Sequence, residues 1–252
     1  MAAAYDSFDY PAYWEKRQYE HGSEVIALKK FLQKIPKIGK VADIGCGFGR
    51  LTPCYIYRSK SVVLLDPSRK IISLAKSRFK SYKKIKYVIS DIDKIPQNLK
   101  ERNFDLIVMV RVLHHLDNPE KAFSIVYKML NDKGFFVLEF ANKIHWKALF
   151  LNLIRGNFTF PIDIFPNDRR SKRKKTGKFI SFFNYHPGIL KEKIEAAGFK
   201  ILEVRSVSNV RSPFLKKHLP LEFLLSVERS LQKSLAKIYF GPSIFLLAQK
   251  RG

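Results

Sequence analysis

The segment VADIGCGFGR, residues 41–50, sets three glycines at alternate positions directly after a short apolar run, with Asp43 two residues before the first. A glycine-rich turn from strand to helix lets the backbone approach a ligand closely and points helix N-terminal amides at it. A phosphate loop would end in Gly-Lys-Ser/Thr, which is absent. The dinucleotide pattern needs glycine at position 50, where the chain has Arg50. Asp43 would also put negative charge where a dinucleotide phosphate lies, which favours a ligand with cationic groups.

Working outward, apolar stretches alternate with amphipathic ones. SVVLLD, KIKYVIS, FDLIVMVRVL and GFFVLEF read as strands, whereas SEVIALKKFLQKI, SRKIISLAKSRF and NPEKAFSIVYKML carry apolar residues at helical spacing. Asn118 is the expected N-cap of the last of these, with Pro119 at its first helical position. Continuous apolar strands separated by helices predict an α/β fold with a parallel sheet covered on both faces. Asp66 ends the second strand about twenty residues past the loop, where an acid can grip ribose hydroxyls; Asp91 follows the third strand on the same edge. After residue 143 the rhythm breaks into aromatic and basic sequence. It then resumes with a helix closed by Gly198, the strand KILEVRSVSNV, a helical stretch and a last strand, SIFLLAQK.

The ordered set VADIGCGFGR, LLDPS, VISDIDKIP, FDLIVMVRVLHHLDNPEKAF and LNDKGFFVLEF resembles the motifs of class I S-adenosylmethionine-dependent methyltransferases. It covers residues 38 to 142 strongly and resumes in YHPGILKEKIEAAGFKILEV. The resemblance implies a Rossmann-like doubly wound seven-stranded sheet, its last strand antiparallel, with helical insertions. It implies S-adenosylmethionine as cofactor, with Gly45, Cys46, Gly47 and Gly49 under the methionine part and Asp43 near the amino group. Asp66 would bind the ribose hydroxyls and Pro67 would pack near the adenine. Asp91 would accept from the adenine amino group with Ile92 against the ring, and Arg111 falls near the methionine moiety by position alone. The expected organisation is one domain over 1–252. A helical lid spans 1–36, the cofactor-binding core 37–142, and insertions at 143–184 and 212–240 form the substrate cap.

The acceptor is less defined. Methylation of exocyclic base amines uses Asn/Asp-Pro-Pro-aromatic after the fourth strand, where this chain has RVLHHL; cytosine chemistry needs a nucleophilic cysteine at this edge. Cys46 lies in the loop and Cys54 just beyond it, and two thiols alone cannot build a zinc site, so reduced thiols and no metal are expected. Nucleic acid is therefore the less favoured acceptor, an RNA methyltransferase being the alternative alongside a non-catalytic cofactor-binding protein. His114 and His115, being adjacent, point apart, and one of them is expected to serve as base or positioning group at the acceptor. Tyr13 and Arg17 share one face of an N-terminal helix and would meet the cofactor carboxylate.

The formal charge is +25, and the block Arg169, Arg170, Lys172, Arg173, Lys174, Lys175 and Lys178 is its densest cluster, suited to an anionic membrane surface or, in the RNA methyltransferase alternative, to RNA. The aromatic and aliphatic run HWKALFLNLIRGNF suits either a pocket lid or a membrane interface. No apolar run approaches the roughly 18 residues of a membrane span, and the N-terminal stretch has acids where a secretion signal has a basic head. The expectation is a cytoplasmic protein, peripheral to membrane at most, acting on a small and lipophilic acceptor.

Overall fold

The computed structural model describes residues 9–168 and 182–252; the basic block 169–178 lies outside them. Seven strands form the main sheet: β1 (Lys40–Ile44), β2 (Ser61–Asp66), β3 (Ile85–Ile89), β4 (Phe104–Met109), β5 (Leu130–Ala141), β6 (Phe199–Val207) and β7 (Ser243–Lys250). Their spatial order is β3-β2-β1-β4-β5-β7-β6. The first five run parallel, and β7 pairs antiparallel with both β5 and β6. The seven-stranded sheet and its antiparallel last strand are those expected from the motifs.

Apolar side chains on both faces make the strands central, and helices cover each face. Phe104, Phe123, Phe136 and Phe199 fill one layer, and Phe31, Tyr55 and Phe245 the other. On the first face lies α4 (Pro119–Met129), which buries Ala122, Phe123, Val126 and Met129. The Asn118 side chain accepts from the Lys121 N–H at 2.9 Å and caps this helix at the expected residue. On the second face α3 (Arg69–Arg78) is capped by Ser68, whose hydroxyl accepts from Ile71 N–H at 3.2 Å. Before the sheet come α1 (Tyr10–Glu15) and α2 (Gln18–Leu32).

The sheet order reverses at β1, so the carboxyl ends of β1 and β4 flank the crevice where ligands of open α/β sheets bind. β4 stops at Met109 and not at Leu113 as its apolar run suggests. Arg111 has φ +61°, and its N–H donates to Glu139 Oε2 at 2.7 Å, which turns the chain away from the sheet. The second half holds α5 (Trp146–Ile154), α6 (Pro187–Ala196), α7 (Pro213–His218) and α8 (Leu221–Leu235), with a short pairing of Asn167–Asp168 and Phe183–Asn184. Within residues 212–240, expected as part of the substrate cap, α8 packs on α2 and β6. Buried Glu228 explains this. Its carboxylate accepts from Tyr19 Oη at 2.6 Å, Ser208 N–H at 2.8 Å and Asn209 N–H at 3.1 Å, locking α8 into the supporting layer.

Candidate functional site

At the crevice a first cavity of about 310 Å³ is lined by the β1 turn, the ends of β2 and β3 and the segment after β4. Gly45 has φ +70°, and a Cβ there would lie 2.2 Å from Val112 Cγ2. Gly47 has φ +57°, and its Cβ would meet the Tyr10 ring at 3.2 Å. Any side chain at these positions would fill the floor of the cavity, so the turn is shaped for close approach of a ligand to backbone. The Asp66 carboxylate holds the rim in place, accepting from Gly47 N–H at 3.1 Å and Ser68 N–H at 2.9 Å. Asp91 and Ile92 enter from the end of β3, and Pro67 from the end of β2.

Of the residues singled out in the sequence, Gly45, Gly47, Asp66, Pro67, Asp91, Ile92, Arg111 and His115 line this cavity. Asp43, Cys46 and Gly49 sit behind it. Asp43 is buried and accepts a short hydrogen bond from Tyr55 Oη; burial pushes its carboxyl up to about 7. Cys46 packs in the core, where burial holds its thiol well above the usual range, and Cys54 is pushed up to about 11. Both thiols therefore stay protonated near neutral pH, unlike an activated nucleophile. Gly49 packs below the Phe79 ring.

Tyr10, Ser90, Val112 and Lys121 also line the wall without having been singled out, and Asn118, expected only as a helix cap, joins them. Tyr10 had a signal: Tyr10, Tyr13, Trp14 and Arg17 follow i, i+3, i+4, i+7 spacing. Tyr10 faces the cavity, whereas Tyr13 stacks on Tyr10 at 6.0 Å between centroids and Arg17 lies over the Tyr13 ring at 4.2 Å.

A charged clasp fastens α1 and α2 over this crevice. Glu24 on α2 is fully buried between Arg50, at the end of the glycine turn, and Arg111, whose Nε donates to Glu24 Oε1 at 2.7 Å. Arg50 also donates to His21 Nδ1 at 2.7 Å. The Trp14 ring lies against both cations, 3.6 Å from the Arg50 guanidinium and 4.7 Å from that of Arg111. Burial alone would raise the Glu24 carboxyl, but the Arg111 and Arg50 charges outweigh it and hold the group below the usual range.

A second cavity, also about 310 Å³, lies on the other side of Arg111. Arg17, His114, Asn184 and Ser208 line it, so the two histidines face different cavities. Three buried polar atoms of this lining have no hydrogen-bond partner among the described residues: His114 Nδ1, Asn184 Oδ1 and Ser208 Oγ. Burial, with the charges of His115 and Arg111, holds the His114 imidazole well below its ordinary range, so it is neutral. A cavity edged by such atoms suits a ligand with its own donors and acceptors.

The sheet order and a glycine-floored crevice ringed by acids define a Rossmann-like nucleoside-binding protein of the methyltransferase architecture. Residues 42–138 match the family model described as "Methyltransferase domain", over the same stretch that carries the motifs resembling class I S-adenosylmethionine-dependent methyltransferases. S-adenosylmethionine is the cofactor of that class. The chain is 24% identical over 184 residues to a ubiquinone biosynthesis O-methyltransferase of Coxiella burnetii, covering 72% of this chain and 73% of that protein. It is 29% identical over 154 residues to a non-reducing polyketide synthase of Penicillium brasilianum, covering 57% of this chain but only 6% of the synthase.

Among solved structures it is similar to the N-methyltransferase NodS of Bradyrhizobium japonicum bound to S-adenosyl-L-homocysteine. The TM-score is 0.63 at 15% identity, with 98% of this chain and 94% of the other covered. A methyltransferase of Clostridium acetobutylicum gives a TM-score of 0.62 at 17% identity over 99% and 100% of the two chains.

Proposed function

We propose that this protein transfers a methyl group from S-adenosylmethionine, held in the first cavity, to a small polar molecule held in the second. The observation that carries this reading is Arg111, which lines both cavities and puts them back to back, with His115 on one side and His114 on the other. In-line displacement needs donor and acceptor on opposite sides of one shared opening.

The first cavity fits the donor. Asp66 takes the ribose hydroxyls, Asp91 the adenine amino group, and Pro67 and Ile92 flank the ring. The backbone at Gly45 and Gly47 lies under the methionine part. Asp43, behind the turn, stiffens it through Tyr55 and does not bind the ligand. Arg111 faces the clasp, where Glu24, shared with Arg50, draws its charge away from the positive sulfonium, and Lys121 on the cavity wall pairs with Asp93. The cofactor supplies an electrophilic methyl group; the chain supplies position, exclusion of water and a place for the proton. His114, being neutral, accepts a proton or hydrogen bond from the acceptor at its unpartnered Nδ1. His115 orients from the donor side.

A methyl-labelled cofactor incubated with the protein and a cell extract tests the reading, the lipid, RNA, protein and small-molecule fractions being counted separately. Label is expected in the small-molecule fraction; label confined to RNA or to lipid would reverse the choice of acceptor. With the acceptor in hand, His114→Gln is expected to lower kcat by roughly 10²-fold or more with little change in cofactor affinity. Unchanged turnover would remove His114 from the chemistry.

A further inference from the structure

The helix α5 and the chain after it carry a surface that the transfer reaction does not use. Nine of the eighteen exposed large apolar side chains among the described residues fall in the twenty residues from Trp146 to Phe165. No residue of α5 is buried, although its sequence, WKALFLNLI, is mostly apolar. Phe150 is 56% exposed, Ile154 68% and Phe158 74%. Soluble surfaces rarely gather apolar side chains on this scale without a partner to cover them.

This face is also built. The buried side chain of Lys143 reaches under it and donates to the carbonyls of Asp163 at 2.7 Å and Phe165 at 2.8 Å, while its ammonium pairs with the Asp163 carboxylate at 2.7 Å. Phe160 turns inward as an anchor, and Lys143 lies over its ring. Trp146 stacks on Phe240 at 5.6 Å. The backbone is thus tied to the body of the protein while Phe150, Ile154, Phe158, Ile162 and Phe165 point away from it.

The chemistry of the rim selects the partner. Between Trp146 and Ile162 there are two cations, Lys147 and Arg155, and no carboxylate. Both line a cavity of about 420 Å³ at the base of α5 together with Arg211. Apolar side chains interleaved with cations match acyl chains lying under anionic headgroups. A second copy of this chain carries the same net charge of +25, and that repulsion opposes self-association through a face that itself bears Lys147 and Arg155. No helix among the described residues is long and apolar enough to cross a bilayer, so the contact is interfacial.

We propose that the outward face of Trp146–Phe165 docks the protein on an anionic lipid bilayer. This does not depend on the acceptor being a lipid, nor on methyl transfer. The full-length protein is mixed with vesicles of phosphatidylcholine alone, or of phosphatidylcholine with phosphatidylglycerol, and the bound fraction is read by flotation.

Binding to the anionic vesicles is expected, weakened but not abolished by salt. The triple variant Phe150→Ser, Ile154→Ser, Phe158→Ser should lose at least about tenfold in partitioning, since each change removes apolar surface that would enter the membrane. All three side chains are exposed, and circular dichroism with cofactor affinity confirms that the variant is folded. No binding to either vesicle, or binding by the variant equal to the parent's, would overturn the proposal. So would a dimer, seen in sedimentation velocity, that the three substitutions dissociate, because the face would then be a self-interface.

Discussion

Burial pushes the Asp43 carboxyl up to about 7, against the Tyr55 hydrogen bond and the Arg50 charge. Between the ordinary aspartate range and that value, the folded chain holds a proton that the unfolded chain has lost. Stability from this group is therefore full at low pH and falls as pH rises through the window from about 4 to about 7. Asp43→Asn keeps an oxygen for Tyr55 and removes the titration. The variant should gain in melting temperature relative to the parent as pH rises from about 4 to about 7, and the difference should level off above that. A difference that stays constant across that range would show that Asp43 does not titrate there. The residue illustrates what one-dimensional reading reaches. Its position before the glycines is plain in VADIGCGFGR, but Tyr55, twelve residues on, claims its carboxylate first. Asp66, by contrast, is the last residue of one strand and Asp91 lies just past the end of the next, and a strand end is a place the sequence can locate.

At the scale of elements, the clasp of α2 on the glycine turn and on the segment after β4 joins three pieces of chain through Glu24. Replacing that carboxylate with an amide leaves two partly buried guanidinium groups without their counter-charge, at a cost of about 3–5 kcal/mol. Glu24→Gln should show this loss in urea unfolding at neutral pH, together with weaker S-adenosylhomocysteine binding as α1 and α2 loosen. The sign with pH follows from the depressed carboxyl. Its stabilisation is present above the usual glutamate range and disappears as pH falls through the folded value, so parent and variant converge in acid. A loss below about 1 kcal/mol at neutral pH would put the pair among ordinary surface bridges. Helical periodicity had located α2 but not the role of its buried acid, because Glu24 lies among apolar residues and its partners come from positions 50 and 111. Similarly, the apolar run through residue 113 hid the end of β4, which the Arg111 N–H brings about by donating to Glu139 from across the fold.

At the scale of the whole molecule, ligand affinity and fold stability are linked through the crevice. A ligand that binds only the native state adds about 2.7 kcal/mol at a hundredfold excess over its Kd. S-adenosylhomocysteine should therefore raise the melting temperature, and Asp66→Ala should remove most of that increment. An undiminished increment would move the ribose contact to another residue. The alternation of strands and helices and the position of the binding edge were already legible in the chain as written, since both depend on local signals, whereas seven strands with the last antiparallel came with the family resemblance and their order only with the structure. Continuous apolar strands demand a covered parallel sheet, and glycines and acids at strand ends mark its binding edge. The boundary between two cavities, the outward apolar face of α5 and the supporting position of α8 were decided only in three dimensions. Each depends on pairings between distant parts of the chain: Arg111 with Glu24 and Glu139, Lys143 with Asp163, and Glu228 with Tyr19. Burying a charge is tolerable only where folding brings its counterpart alongside, and no local pattern of residues records which counterpart arrives.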